Sequence, residues 1–368
     1  VLQVSVLFCQ TPWQDFVNEQ KSKAEGGDTD AQGISSFLIL TRNIAGSNDQ
    51  AFWLAEKSGG DSSPFGLFAL GYCYEKGIGT DENQLKAQEL YAKSFPKLKI
   101  LAEGGNLYAS NLVGISLQFG RGVTKDIPEA ARWFKVSADQ GFALSQLCLG
   151  CCYQFGEGVA KDKGEAAKWF KKAAEQGLPH AQLMLGFYYE GAKDEAEAVK
   201  WYRKAADQGD AQAQVKLGGC YENGTGVAKD EGEAVKWFKK AAEGQGFGQA
   251  VGQYFLGMRY YNGKGVAKDE GEAVKWLKKA AEHGLAEAQY RLGILYKYGE
   301  GVAKDERKAV KWFKKSAEQG LAGAQYSLGN HYEEMVIFDL DPESLPSDIN
   351  ESGVDITKNL SESLKLYR

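Results

Sequence analysis

The chain has 368 residues, 44 basic and 49 acidic side chains, a net charge of −5 and 43% hydrophobic residues. That balance offers no basic field for a phosphate backbone, so nucleic acid is not an expected partner. No apolar run approaches the ~20 residues of a membrane-spanning helix, so direct membrane insertion is not expected either.

In chain order, residues 1–29 read as an irregular amino-terminal segment. Its opening VLQVSVLF is short, lacks a basic region and starts without Met, which suits a fragment start better than a signal peptide. Residues 30–334 read as about nine helix pairs, the first of them degenerate. First helices are expected near 31–42, 65–76, 107–119, 142–155, 180–190, 211–223, 248–262, 286–298 and 322–334. Second helices are expected near 48–58, 82–94, 127–139, 163–175, 195–207, 231–243, 270–282 and 306–318. Ser94–Gly104 is an insertion, read as a helical extension broken at Pro96. Residues 335–353 form an acidic loop or linker containing Pro342 and Pro346, and 354–368 begin a further, truncated repeat.

The repeat itself is explicit. KDEGEAVKWFKKAAE occupies Lys229–Glu243 and returns with one change at Lys268–Glu282. Trp133, Trp169, Trp201, Trp237, Trp276 and Trp312 are 36, 32, 36, 39 and 36 residues apart. The short spacing reflects four loop residues missing at Gly191–Asp194, and the long one reflects three added at Gly244–Gly248. A period near 36 holds two helices and two turns, which predicts a solenoid. Second helices begin with Asp-x-x-Glu pairs, as at Asp162/Glu165 and Asp230/Glu233, a signature that satisfies two helix-start amides. They end at glycines such as Gly177 and Gly320, expected in the left-handed conformation. A glycine also recurs inside each first helix (Gly71, Gly114, Gly150, Gly186, Gly218, Gly257, Gly293, Gly329), implying close approach of another backbone.

The pattern Ala-x-Ala-x-x-x-Leu-Gly-x-x-Tyr-x-x-Gly-x-Gly-Val-x-x-Asp, followed by Ala-x-x-Trp-Phe-x-x-Ala-Ala-x-x-Gly, resembles the Sel1-like repeat family, a cousin of the tetratricopeptide arrays. Leu117 departs from it at the Tyr position. The resemblance implies an all-α, right-handed superhelical α/α solenoid that acts as a non-enzymatic protein-interaction scaffold through its concave face. The alternative is a regulatory or targeting arm of a larger enzyme whose catalytic domain lies outside this sequence. Cysteine-rich secreted relatives clip each hairpin with a disulfide; Cys9, Cys73, Cys148, Cys151, Cys152 and Cys220 do not reproduce that pairing. They are read as mostly reduced thiols in a cytoplasmic or other intracellular soluble compartment.

Columns that vary between repeats are free to recognise a protein partner, and Tyr and Arg dominate binding hot spots. Tyr188, Arg259, Tyr261, Lys297 and Tyr298 are the expected contact residues. No catalytic residue, metal site or cofactor is expected. Cys148, Cys151 and Cys152 lack a fourth ligand and read as buried thiols. Ser94-Phe-Pro-Lys97 spells S-x-x-K without the companion motifs of penicillin-binding enzymes.

Overall fold

A computed structural model describes residues 12–41, 47–60 and 62–337. All regular structure among them is α-helical, and the chain divides into two compact units after Gln208. Unit 1 opens with α1 (Pro12–Glu25), then pairs α2/α3 (Thr29–Leu40, Asn48–Gly60), α4/α5 (Pro64–Lys76, Gln84–Glu103), α6/α7 (Leu107–Phe119, Ile127–Asp139), α8/α9 (Ala143–Phe155, Lys163–Glu175) and α10/α11 (Pro179–Gly191, Glu195–Asp207). Unit 2 contains α12/α13 (Ala211–Asn223, Glu231–Glu243), α14/α15 (Phe247–Asn262, Glu270–Glu282), α16/α17 (Ala286–Tyr298, Glu306–Glu318) and α18 (Ala322–Ile337). Within each unit, a first helix packs on its own second helix and on that of the preceding pair.

Two local expectations are corrected. Residues Pro12–Glu25 form a helix, not an irregular stretch. α5 runs through Pro96 without breaking, because Leu98 and Ala102 beyond it are buried and their packing holds the helix past the missing donor. The helical pattern continues to Ile337, and the acidic segment and truncated repeat beyond it lie outside the described residues.

The recurring glycine does its work differently from the expectation. In most pairs what approaches it is a ring rather than a backbone, while a Cβ at Gly257 would meet the Leu277 side chain and one at Gly329 nothing within 4 Å. A Cβ at Gly114 would stand 2.4 Å from the Phe134 ring, at Gly150 2.5 Å from Phe170, and at Gly186 2.4 Å from Tyr202. Gly218 meets Phe238 and Gly293 meets Phe313 in the same way, both at 2.6 Å. These rings come from the residue after Trp in each second helix and are fully buried. From Trp169 onward the Trp in turn carries a lysine over its face three residues on, as Lys172 over Trp169 at 3.9 Å and Lys240 over Trp237 at 3.8 Å, whereas Trp133 has Val136 at that position. Lys240 therefore covers a ring instead of simply facing water.

Caps follow the sequence signature in part. The side chains of Asp126, Asp162, Asp194, Asp230 and Asp269 accept the N–H groups of Glu129, Glu165, Glu197, Glu233 and Glu272. The reciprocal bond is replaced. Asp162 and Asp230 donate their own N–H to the carbonyls of Tyr153 and Tyr221, which closes the loop onto the first helix. The freed glutamates pair with lysines three residues later, as Glu165 with Lys168 and Glu233 with Lys236.

A buried glutamine stitches several of the pairs to the helix before them. Gln146, Gln182, Gln253 and Gln289 donate Nε2 to the carbonyls of Ala138, Ala174, Ala242 and Ala281 at 3.1–3.2 Å. Their Oε1 atoms receive Gln176, Gln208, the His283 ring and Gln319. Gln32 makes the same bond to Ala24 of α1, at 3.2 Å.

Because the ring fills the space a side chain would need, Gly218→Ala is expected to lower stability by about 1–3 kcal/mol. Phe238→Ala should cost less in that background than in the parent. Urea unfolding of the four proteins in this double-mutant cycle checks the coupling.

Candidate functional site

The loops between first and second helices carry a Gly-x-Gly turn whose second glycine lies against the preceding pair. Gly158 rests on Ile127, Gly265 on Glu231 and Gly301 on Glu270, each at the start of a second helix. The α10–α11 connection lacks these residues and turns instead through Lys193 at a φ of 63°. The shortened turn, through Gly191 and Ala192, forms only one wall beside the start of α9. A cavity of ≈ 270 Å³ opens there, lined by Lys163, Ala166, Phe170, Met184, Phe187 and Tyr188.

The five expected contact residues take different places. Tyr188 lines this cavity, 38% exposed, with its ring edge-on to Tyr189 at 5.6 Å. Tyr298 is 65% exposed at the end of α16, with Lys297 near its ring. Tyr261 is half-buried and donates its hydroxyl to Glu300 in the following loop at 2.7 Å, a bond that raises its pKa. Arg259 is buried beside the Phe238 ring, and its Nη1 stands 2.6 Å from Glu222 of the preceding first helix. Tyr188 belongs to unit 1 and the other four to unit 2.

Two residues with the same exposure as Tyr298 were not singled out from the sequence. Phe119 and Phe155, at 61% and 63% exposure, also occupy the last position of a first helix, before a left-handed glycine. Aligning the residue before each loop glycine, Phe119-Gly120, Phe155-Gly156 and Tyr298-Gly299, is the signal that finds this column. It was obscured because Lys76, Asn223 and Asn262 hold the position elsewhere.

Unit 1 contains a counterpart of the Arg259–Glu222 pair. Glu75, at the position matching Glu222, receives Arg121 through Nε at 2.7 Å and Nη2 at 3.0 Å, and the Tyr91 hydroxyl at 2.7 Å. Burial alone would raise the Glu75 carboxyl. Hydrogen bonds from Arg121, Tyr91 and Lys76 outweigh that and hold it at about 2, below the ordinary 4.5.

The remaining candidates have structural surroundings. Burial pushes the thiols of Cys73 and Cys152 up to about 12 and that of Cys151 to about 11, leaving them protonated and unreactive. Cys148 shifts the same way and lies 3.6 Å from Asn111 Nδ2. Among the described residues no three His, Cys, Asp or Glu side chains gather to hold a metal, and no helix is long and apolar enough to cross a membrane. Ser94 is fully buried and donates its hydroxyl to the Pro64 carbonyl at 2.7 Å, a bond between the two helices of one pair.

Comparison with known proteins places these features. The Sel1 repeat model matches residues 64–95, 107–142, 143–178, 179–210, 211–245, 250–285 and 286–321. The crystal structure of c5321, a protective antigen of uropathogenic Escherichia coli strains with an SLR fold, is 32% identical with a TM-score of 0.55. That match covers 86% of this chain and 67% of c5321. A Sel1 repeat protein from Oxalobacter formigenes is 36% identical with a TM-score of 0.59, over 62% of this chain and 94% of its own. No curated protein sequence matches the chain.

The Glu75 carboxyl titrates lower folded than unfolded, so its stabilisation is complete above about pH 4.5 and is lost as pH falls toward 2. Glu75→Gln is expected to remove about 2 kcal/mol at neutral pH and less under acid conditions. Urea unfolding of both proteins near neutrality and near pH ~3 reads the difference.

Proposed function

The chain belongs to the Sel1 repeat family, and from that premise we propose that it is a non-enzymatic scaffold gripping a protein partner along the carboxyl-terminal ends of its first helices. Sel1 repeats generally serve protein interaction. The observation that carries the reading is the column of large exposed rings at one repeat position: Phe119 and Phe155 in unit 1, Tyr298 in unit 2. Rings left in water at a fixed register cost solvation in the free protein and become favourable when a partner covers them. Tyr188, beside the cavity left by the short loop, adds a pocket in which an apolar partner side chain can be buried. Lys297 extends the surface around Tyr298 with a positive charge. Tyr261 and Arg259 support it from behind, tying first helices to the next loop and to the preceding pair.

The test is capture from cell extract with a photo-crosslinking amino acid at position 155 or 298, beside one at the outward-facing Lys171. A scaffold using this edge crosslinks a defined partner from 155 or 298 and not from 171. A variant carrying Phe155→Ser, Tyr188→Ala and Tyr298→Ser, with unchanged helicity, is expected to lose at least about tenfold in capture. Equal crosslinking from position 171, or undiminished capture by the variant, would place binding elsewhere.

A further inference from the structure

The opposite edge of the repeats, where first helices begin, is covered in unit 1 by the chain's own α1. Its N–H at Trp13 donates to the Gln176 carbonyl, just past the end of α9, at 3.1 Å. Phe16 stands edge-on to Phe142 at 5.5 Å and lies 6.2 Å from Tyr108, at the starts of α8 and α6. Trp13 and Val17 are each 3% exposed. A short amphipathic helix is thus seated across several repeats by an aromatic pair three residues apart, with a helix-start amide bonded to a helix-end carbonyl.

The glutamine ladder fixes which residues of unit 2 correspond to this footing. Gln289 and Gln319 repeat the pairing of Gln146 and Gln176, so Leu285 stands where Phe142 does and Gln319 where Gln176 does. These residues line a depression of ≈ 290 Å³ in unit 2, together with Phe247, Ala250, His283 and Glu287. Phe247, supplied by the three-residue insertion, is a ring 66% exposed on its wall.

We propose that this groove of unit 2 docks an amphipathic helix from a partner protein, carrying two aromatic side chains three residues apart, in the manner in which unit 1 holds α1. The first ring sits beside Gln319, whose carbonyl takes a helix-start amide, and the second packs on Leu285 and Phe247. A partner, not a second copy, is the occupant, because the chain's own α1 already buries Trp13 and Val17 on unit 1. The inference rests on the scaffold reading and names a partner chemistry for it.

A fluorescein-labelled peptide of residues 12–25 is the probe, titrated with the full chain by fluorescence anisotropy. Saturable binding is expected, weakened at least about tenfold by Trp13→Ala with Phe16→Ala in the peptide, and similarly by Leu285→Arg in the protein. Phe247→Asp, at an exposed site where folding is not at risk, should weaken it as well. Phe142→Arg in unit 1 should leave it. No binding, indifference to both unit 2 variants, or loss with Phe142→Arg alone overturns the assignment. So does a dimer in sedimentation that Trp13→Ala in the full chain dissolves, since the occupant is then a second copy. Partner capture at positions 155 and 298 that persists while the peptide fails removes this groove and leaves the scaffold reading standing.

Discussion

An aromatic ring from the second helix rests on a bare glycine of the first in one pair after another, and that contact sets how closely the two helices lie. A mid-helix glycine costs about 1 kcal/mol relative to alanine. Full burial of a Phe-sized side chain returns about 1.5–3 kcal/mol, so the exchange is favourable wherever a ring meets the glycine. With Phe170, Phe238 and Phe313 sunk onto Gly150, Gly218 and Gly293, the Trp one residue earlier is directed to the neighbouring face, where a lysine covers it. The interior is consumed by these columns. What remains variable is the two ends of the first helices and the loops that leave them.

Those ends differ in physical character. At the starting edge the glutamine ladder presents carbonyls at second-helix ends, and these can receive the orphan amides of a helix lying across the repeats. At the finishing edge the backbone is closed by Gly-x-Gly turns and by the bond from the cap aspartate to the Tyr carbonyl. There the turns leave little backbone free, and the exposed rings of Phe119, Phe155 and Tyr298 are the side chains that the proposed scaffold role would use. Departures from the repeat open the surfaces: four loop residues absent beside Tyr188 leave a cavity, and three added before α14 put Phe247 on a groove wall.

Much of this architecture was legible in the sequence. Helix pairs, cap aspartates and turn glycines follow from periods and local chemistry, and both indels were readable from the tryptophan spacing. The glycine column signalled close approach, yet sequence alone does not say whether a backbone or a ring arrives. Pro96 signalled a break, which burial of Leu98 and Ala102 overrode. Gln146, Gln182, Gln253 and Gln289 went unremarked because glutamine on a helix normally reads as a solvated residue. Its recurrence four places before the glycine from Gly150 onward was the available clue. The helix at Pro12–Glu25 was missed for a different reason. Of its buried face, only Ala24 holds a repeat position, bonded by Gln32 as the alanines of second helices are, and Trp13, Val17 and Gln20 fit no repeat column.

Position within the repeat, more than residue type, decides what a side chain does. Tyr202 is buried on Gly186 and donates its hydroxyl to Glu190 at 2.6 Å, whereas Tyr298 holds a ring 65% exposed at a helix end. Arg259 and Arg121 come from different positions, a helix and a loop, yet each reaches the glutamate that follows the recurring Tyr of the preceding pair. Enrichment of Tyr and Arg in hot spots is a statement about desolvated anchors in interfaces. Here the same chemistry is first used between repeats, where an ion pair with an aromatic neighbour joins one hairpin to the next. A Tyr or Arg in a variable column therefore belongs to the binding surface only when its polar end is not already engaged by the adjoining repeat. Tyr298 meets that condition more fully than Arg259, and Phe119 and Phe155 hold the same repeat position in unit 1 without a polar group to satisfy.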